Sequence, residues 1–222
     1  MRRFPELDDR LSRAAALFPA CEYGADIGAD HGRLSCFLLE SGKAKRMCVA
    51  DISADSLKKA ETLLASRGLA ERADFRVGDG LSVLERPAGA IAILGMGGHT
   101  LCGILENGRD QLRGAALILS AHTDMHLVRK TLMEMKYRIE TEEIAYAANR
   151  FYCLLRAVPG EEELPEKQLF IGPRLMETVP AHYPEYLQWH IGLAAKKQSD
   201  QGKQELVWLK EEEERVRDSE NH

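Results

Sequence analysis

Asp26-Ile27-Gly28-Ala29-Asp30-His31-Gly32 follows a short apolar run near the amino end of the chain. A strand that ends in a Gly-containing turn, with a carboxylate just before the glycine, is how many α/β proteins build a nucleotide site. The glycine lets the backbone approach a ligand closely, and the turn feeds the next helix. Here the pattern is D-x-G-x-D-x-G rather than the G-x-G-x-x-G of a dinucleotide site. Asp30 stands where a pyrophosphate needs a bare glycine. A carboxylate there repels phosphate and attracts a cationic or amine-bearing ligand.

The pattern outward from this turn alternates strand and helix. Residues 6–18 have apolar positions at Leu7, Leu11, Ala14, Ala15 and Phe18, a helical spacing that Pro19 stops. Residues 21–27 read as the first strand and 34–39 as a helix, with Gly42 as its C-cap. Residues 46–50 form a second strand. Ser53 or Asp55 caps a helix over 56–66, and Gly68 ends it. Residues 75–77 and 90–94 are the third and fourth strands. The fourth is apolar at every position, as in a parallel sheet covered on both faces. A helix at 100–106, a strand at 115–119 and a helix at 122–135 follow. Residues 137–144 and 150–158 close the series as an antiparallel pair of strands. Five βα units and a terminal strand pair make a doubly wound, mostly parallel sheet. The turns at 26–32, 51–53, 79–80, 95–98 and 120–122 all follow carboxyl ends of strands, where open α/β sheets bind ligands.

A linker is expected at 159–166, dividing a first domain (1–160) from a C-terminal part (161–222). That part carries a Pro-punctuated stretch and two helical patterns near 184–200 and 203–217, read as a hairpin. Leu206, Leu209 and Glu213 share one stripe of the second pattern, and Glu211–Glu214 reads as a solvated face. The net charge of −5 hides an asymmetry. Residues 1–160 hold 22 Lys and Arg against 21 Asp and Glu, while residues 161–222 hold 8 against 14. No apolar run reaches the roughly 20 residues of a membrane span, and no signal peptide is evident, so the expectation is a cytoplasmic protein. The five cysteines form no C-x-x-C pair and read as buried thiols.

Several residues point to chemistry. S-adenosylmethionine (SAM), a cationic sulfonium with an amino acid head, suits the carboxylate-rich turn of Asp26, Gly28 and Asp30. Asp51, at the end of the second strand, lies 23 residues after Gly28. That is the position from which a carboxylate accepts both ribose hydroxyls. Asp79 can bond an adenine amino group while the Gly80 N–H meets a ring nitrogen. Gly95-Met96-Gly97-Gly98 leaves room for a flat base. His122 and His126, four residues apart, can face one way on a helix. They lack the glutamate of H-E-x-x-H, so no metal is expected.

The chain resembles the bacterial tRNA (adenine-22-N1)-methyltransferase family. The resemblance rests on D-I-G-A-D-H-G at 26–32, G-D-G-L at 78–81, G-M-G-G at 95–98 and F-I-G-P-R-L at 170–175. It implies a Rossmann-like, class I SAM-dependent methyltransferase fold with a C-terminal coiled-coil-like hairpin, and methylation of an adenine N1 in tRNA. By position, Asp26, Gly28, Asp51, Ile52, Asp79, Gly80 and Gly95 match the cofactor-binding set. Asp30, His31, Met96, Gly97 and Gly98 match the catalytic mouth. His31 or His122 would orient the exocyclic amino group. Where the family carries Q-P-N after the fifth strand, this chain has Ser120-Ala121-His122. The partner expected is tRNA, with Arg2, Arg3, Arg10, Arg13 and Arg33, and less directly Arg129 and Lys130, as phosphate contacts, and the protein itself a monomer or weak dimer. The competing readings are a SAM-dependent methyltransferase acting on another RNA base or a small molecule, a non-catalytic SAM- or RNA-binding protein, and a nicotinamide-linked dehydrogenase. The last lacks its G-x-G-x-x-G.

Overall fold

The uninterrupted apolar run at 90–94 lies in the middle strand of a seven-stranded sheet. The computed structural model describes residues 6–220; Arg2 and Arg3 lie outside them. The strands are β1 (Cys21–Ile27), β2 (Ala44–Asp51), β3 (Ala73–Val77), β4 (Ala90–Met96), β5 (Ala116–Ala121), β6 (Tyr137–Ala147) and β7 (Arg150–Pro159). Their order across the sheet is β3-β2-β1-β4-β5-β7-β6. The first five run parallel, and β7 runs antiparallel to both β5 and β6. The fold is thus the doubly wound α/β sheet that the alternating pattern predicts, with its strand order reversing beside β1.

Period-two alternation explains the two cores. Ala90, Ala92 and Leu94 of β4 join one apolar cluster, with residues of α1 (Asp9–Leu17), α2 (Arg33–Glu40) and α3 (Ala54–Ser66). Ile91 and Ile93 point the other way. They meet α4 (Gly98–Asn107), α5 (Arg109–Leu112) and α6 (Met125–Glu134). Local chemistry sets the helix ends. Asp8 accepts from the Leu11 N–H at 2.8 Å to start α1. Lys43 Nζ gathers the carbonyls of Ala15, Ala16 and Phe18 at its far end, at 2.6, 3.0 and 2.9 Å. Ser53 caps α3, as expected.

The second core continues into helices that the sequence pattern passes over. F-I-G-P-R-L is not a Pro-broken loop but two short helices, α7 (Glu166–Ile171) and α8 (Pro173–Thr178). Beneath them lies a buried ion pair. Arg129 Nε donates to Glu142 Oε1 at 2.7 Å, and both side chains are fully buried. Arg129 also donates to the Leu169 and Phe170 carbonyls. Glu142 Oε2 accepts the backbone N–H of Arg174 at 2.9 Å. The pair thereby ties α6 and β6 to the motif. Arg129 is therefore no phosphate contact: its charge is sealed in the core.

The hairpin is α9 (Tyr183–Ala194) packed on α10 (Asp200–Glu220). Its seam is not the expected Leu206–Leu209–Glu213 stripe. The buried positions of α10 are Gly202, Glu205, Leu209, Glu212 and Val216, a 3-4-3-4 spacing. Glycine and glutamates at seam positions conceal it from a hydrophobicity pattern. Glu212 is accordingly not part of a solvated face. It accepts from Tyr183 Oη at 3.0 Å and pairs with Arg215. Glu205 takes Lys197 Nζ at 2.6 Å. Among the described residues no helix is long and apolar enough to cross a membrane.

Gly172 shows what the buried pair demands of the chain. Its φ is +121°, and a Cβ there would lie 2.9 Å from both Arg129 Nη2 and Glu142 Oε2. Gly42 is the contrasting case, with φ +78° and open space around it. Gly172→Ala should cost about 2–4 kcal/mol of stability and Gly42→Ala about 1 kcal/mol. Urea unfolding of the two variants checks this; equal losses would mean that the ion pair does not govern the motif.

Candidate active site

Five loops meet at the carboxyl ends of the central strands. After β1, Gly28 takes φ +73° and its N–H, with that of Ala29, bonds the Ala50 carbonyl at 2.9 Å. A Cβ at Gly28 would come within 3.2 Å of Met96 Cε. Asp30 follows at φ +48°, a left-handed conformation in which aspartate is enriched among side-chain-bearing residues. The reason for this turn is visible in its partner. The Asp30 N–H donates to Asp51 Oδ2 at 2.9 Å, and the Ser53 N–H donates to Asp51 Oδ1 at 2.8 Å. Two backbone donors thus fix the Asp51 carboxylate. Each of its oxygens keeps a lone pair for a further donor, which suits a vicinal diol.

Asp26 lies beneath this layer. It is buried and accepts Ser35 Oγ–H at 2.6 Å. Burial pushes its carboxyl up to about 6; the Ser35 hydroxyl opposes that, the Asp51 charge adds to it, and Arg10 opposes it. A cavity of about 290 Å³ opens above it. Asp30, His31, Gly95, His122, Arg10 and Tyr152 all line this cavity. The Arg10 guanidinium sits 5.5 Å over the Tyr152 ring. Arg10 is therefore a cation of the cavity and not of the outer surface. Arg13 is held by Asp9 and Glu143, and Arg33 bonds the Glu6 carbonyl.

His122 closes the far wall. It is not on a helix, because α6 begins only at Met125, after Asp124 in a left-handed conformation. His122 and His126 therefore do not share a helix face. The backbone N–H of His122 bonds the Met96 carbonyl at 2.8 Å, and its own carbonyl accepts from Arg150 at 2.7 Å. Its imidazole sits edge-on to Tyr152, with ring centroids 5.7 Å apart. Burial, helped by the nearby Arg150 and Arg10 cations, lowers its pKa below the ordinary imidazole value. It is a neutral hydrogen-bonding group at pH 7. Ser120, by contrast, turns inward and donates to the Cys153 carbonyl at 2.9 Å.

The remaining expected residues divide. Ile52 is 73% exposed and Val77 is 60% exposed, side by side at the ends of β2 and β3. They offer apolar surface to a flat ring beside Asp79, which is exposed, and Gly80 at φ +56°. His31 lines the cavity mouth with Lys59 Nζ 3.2 Å from its Nε2 and Asp30 Oδ1 at 3.6 Å. In the G-M-G-G turn the glycines play different parts. Gly95 at φ +81° is exposed beside Arg10 and His122. Gly97 caps α4. Gly98 is buried, and a Cβ there would meet the Thr123 and Asp124 carbonyls at 2.7 Å. Gly98 serves close packing and leaves no room for a base. Ser35, Tyr152 and Arg150 are site residues that the sequence reading missed. Only Tyr152 carried a signal, an aromatic inside a strand that alternation turns toward the cavity. Among the described residues no group of three or more histidine, cysteine, aspartate or glutamate side chains is placed to hold a metal.

Because its native pKa is raised, Asp26 binds a proton more tightly in the folded state than in the unfolded one. Ionised Asp26 then destabilises the fold above about pH 6, and the cost fades as pH falls toward the ordinary carboxylate range. Asp26→Asn should raise stability by about 1–3 kcal/mol at pH 8, a gain that shrinks toward pH 4. Urea titrations of both proteins across that range, with no ligand added, measure it. A gain independent of pH would rule out the ionisation as its source.

The arrangement is a strand-end cleft whose groups suit a ligand with a diol, a flat ring and a cationic head. A methyltransferase domain model matches residues 7–155. The tRNA (adenine(22)-N(1))-methyltransferase of Bacillus subtilis is 32% identical over 160 residues, covering 71% of this chain and 67% of that protein. A Streptococcus pneumoniae protein solved in complex with S-adenosyl-L-methionine superposes with a TM-score of 0.88 at 25% identity, covering 94% of this chain and 100% of that one. The crystal structure of a Bacillus subtilis tRNA methyltransferase gives a TM-score of 0.80 at 26% identity, covering 96% and 98%. The chain belongs to the tRNA (adenine-22-N1)-methyltransferase family.

Proposed function

We propose that this protein transfers the methyl group of SAM to N1 of adenine 22 in tRNA, in the cytoplasm. The observation that carries the reading is the Asp51 carboxylate, locked by the Asp30 and Ser53 N–H groups at the rim of a cavity whose floor is the buried Asp26. Residues 1–160 form the catalytic unit in this reading, and 161–222 hold the hairpin that contacts tRNA.

When bound, SAM would supply a sulfonium methyl group, to which the in-plane lone pair of adenine N1 would bond without prior deprotonation as the carbon–sulfur bond breaks and S-adenosylhomocysteine leaves. The protein's work is alignment and charge. Asp51 holds the ribose diol, while Ile52 and Val77 cover the adenine faces and Asp79 with Gly80 reads its edge. Arg10 is placed to take the methionine carboxylate. Asp26 and Gly28 support the turn against which the ligand lies. Asp30, with its side chain 70% exposed at the mouth, stabilises the positive charge that the base acquires. Neutral His122, in place of the family's Q-P-N, orients the exocyclic amino group, and Met96 with Gly95 shapes the mouth. Positioning of this kind supplies a large part of a barrier reduction in group transfer.

Labelled SAM with unmodified tRNA, followed by mapping of the methylated base, tests the activity; transfer to adenine 22 is the expected result, and SAM binding without transfer to tRNA would overturn it. Asp51→Ala should weaken SAM binding about 100-fold, the loss of two charge-assisted hydrogen bonds. Asp30→Ala should lower kcat by at least about tenfold with SAM affinity nearly unchanged. Calorimetric SAM titration beside single-turnover rates separates the two roles, and full turnover in the Asp30 variant would remove Asp30 from the chemistry.

A further inference from the structure

A second cavity, of about 340 Å³, lies behind His122. Among the described residues, His122 alone lines both this cavity and the strand-end cavity. The alternation of β7 explains the pairing: Tyr152 faces the first cavity, and its neighbour Phe151 faces the second. The opposite wall is α9, which contributes Trp189 and His190. Phe151 and Trp189 have ring centroids 6.0 Å apart, and Trp189 meets His190 at 4.9 Å. Both Phe151 and Trp189 remain partly exposed. Arg150 brings positive charge to this cavity, while Lys197, which also lines it, is paired with Glu205, and Asp124 lines it as well.

We infer that this cleft is a stacking platform for the nucleobase that neighbours the methylated one in the RNA strand. The inference rests on the proposed tRNA substrate and deepens it. Aromatic faces with an arginine beside them are the chemistry that binds an unstacked base and its phosphate. The rings of Phe151 and Trp189 are tilted 53° to one another, so no base is sandwiched between them, and the base stacks on the part of the pair left exposed. The target adenine itself does not fit here, because His122 stands between the cleft and the cavity that holds Asp30 and Asp51. One imidazole thus separates two consecutive bases, and the unstacking needed to extrude the target is compensated on the other side of His122.

Trp189 and Trp208 are the two tryptophans of the chain, so Trp208→Phe isolates Trp189 as a reporter. In that variant, titration with an unmodified tRNA transcript should quench the fluorescence saturably. Trp189→Ala should raise the KM for tRNA about tenfold and leave SAM affinity as in the wild type, and Trp189→Phe should restore most of the loss. An unchanged KM for tRNA in Trp189→Ala and Phe151→Ala, beside a wild type that methylates tRNA, would overturn the platform alone. A quench that is absent while the Trp208→Phe protein still methylates tRNA would do the same. A wild type that binds SAM and methylates no tRNA overturns the proposed function instead, and that result is read before any variant is made.

Discussion

The buried pair of Arg129 and Glu142 sets the position of everything after β7. Removing two charges from water is costly, and the pair persists because every neighbour completes it: two carbonyls from the chain after α6 meet the guanidinium, and backbone N–H groups meet the carboxylate. Losing one partner would strand the other in an apolar core, at about 3–5 kcal/mol. The F-I-G-P-R-L segment is therefore seated in one register. That register fixes where α9 begins, and so which aromatic side chains stand beside His122.

The catalytic end obeys a different constraint. Its carboxylates are close together, yet their environments differ. Asp26 is buried with Ser35 as its donor, Asp51 is held by backbone N–H groups, and Asp30 faces water. The three perform different tasks because burial and hydrogen bonding separate them. The left-handed turn at Asp30 links the two outer members: its strained backbone is what aims its N–H at Asp51.

The parts of this architecture legible in the sequence are those that follow a short-range rule. Strand β1 was predictable over its whole length, because an apolar run ended in an aspartate and a glycine. The antiparallel β6–β7 pair is equally plain, while the cap of α3 is open between Ser53 and Asp55 until the structure selects Ser53. Gly172 and Arg129 were not, since an arginine in the sequence is a surface residue until a partner thirteen positions on buries it. The seam of α10 escaped for a similar reason: two of its five positions are glutamates whose partners, Lys197 and Tyr183, lie outside the helix. Within the candidate site, Asp26, Gly28 and Asp51 stand at the strand-end positions that their spacing indicates. Arg10 reads in the sequence as a phosphate contact, because only the packing of α1 over the strand ends brings it to the cavity.

The seam has a consequence for how the chain comes apart. With Leu209 and Val216 as its apolar members, the contact between α9 and α10 buries too little hydrocarbon to hold two helices in water without help. Tyr183, Tyr186 and Leu187 instead enter the same core as β5 and β7. The helical hairpin and the sheet accordingly form one cooperative unit, and a perturbation that loosens the sheet edge would melt the hairpin in the same transition.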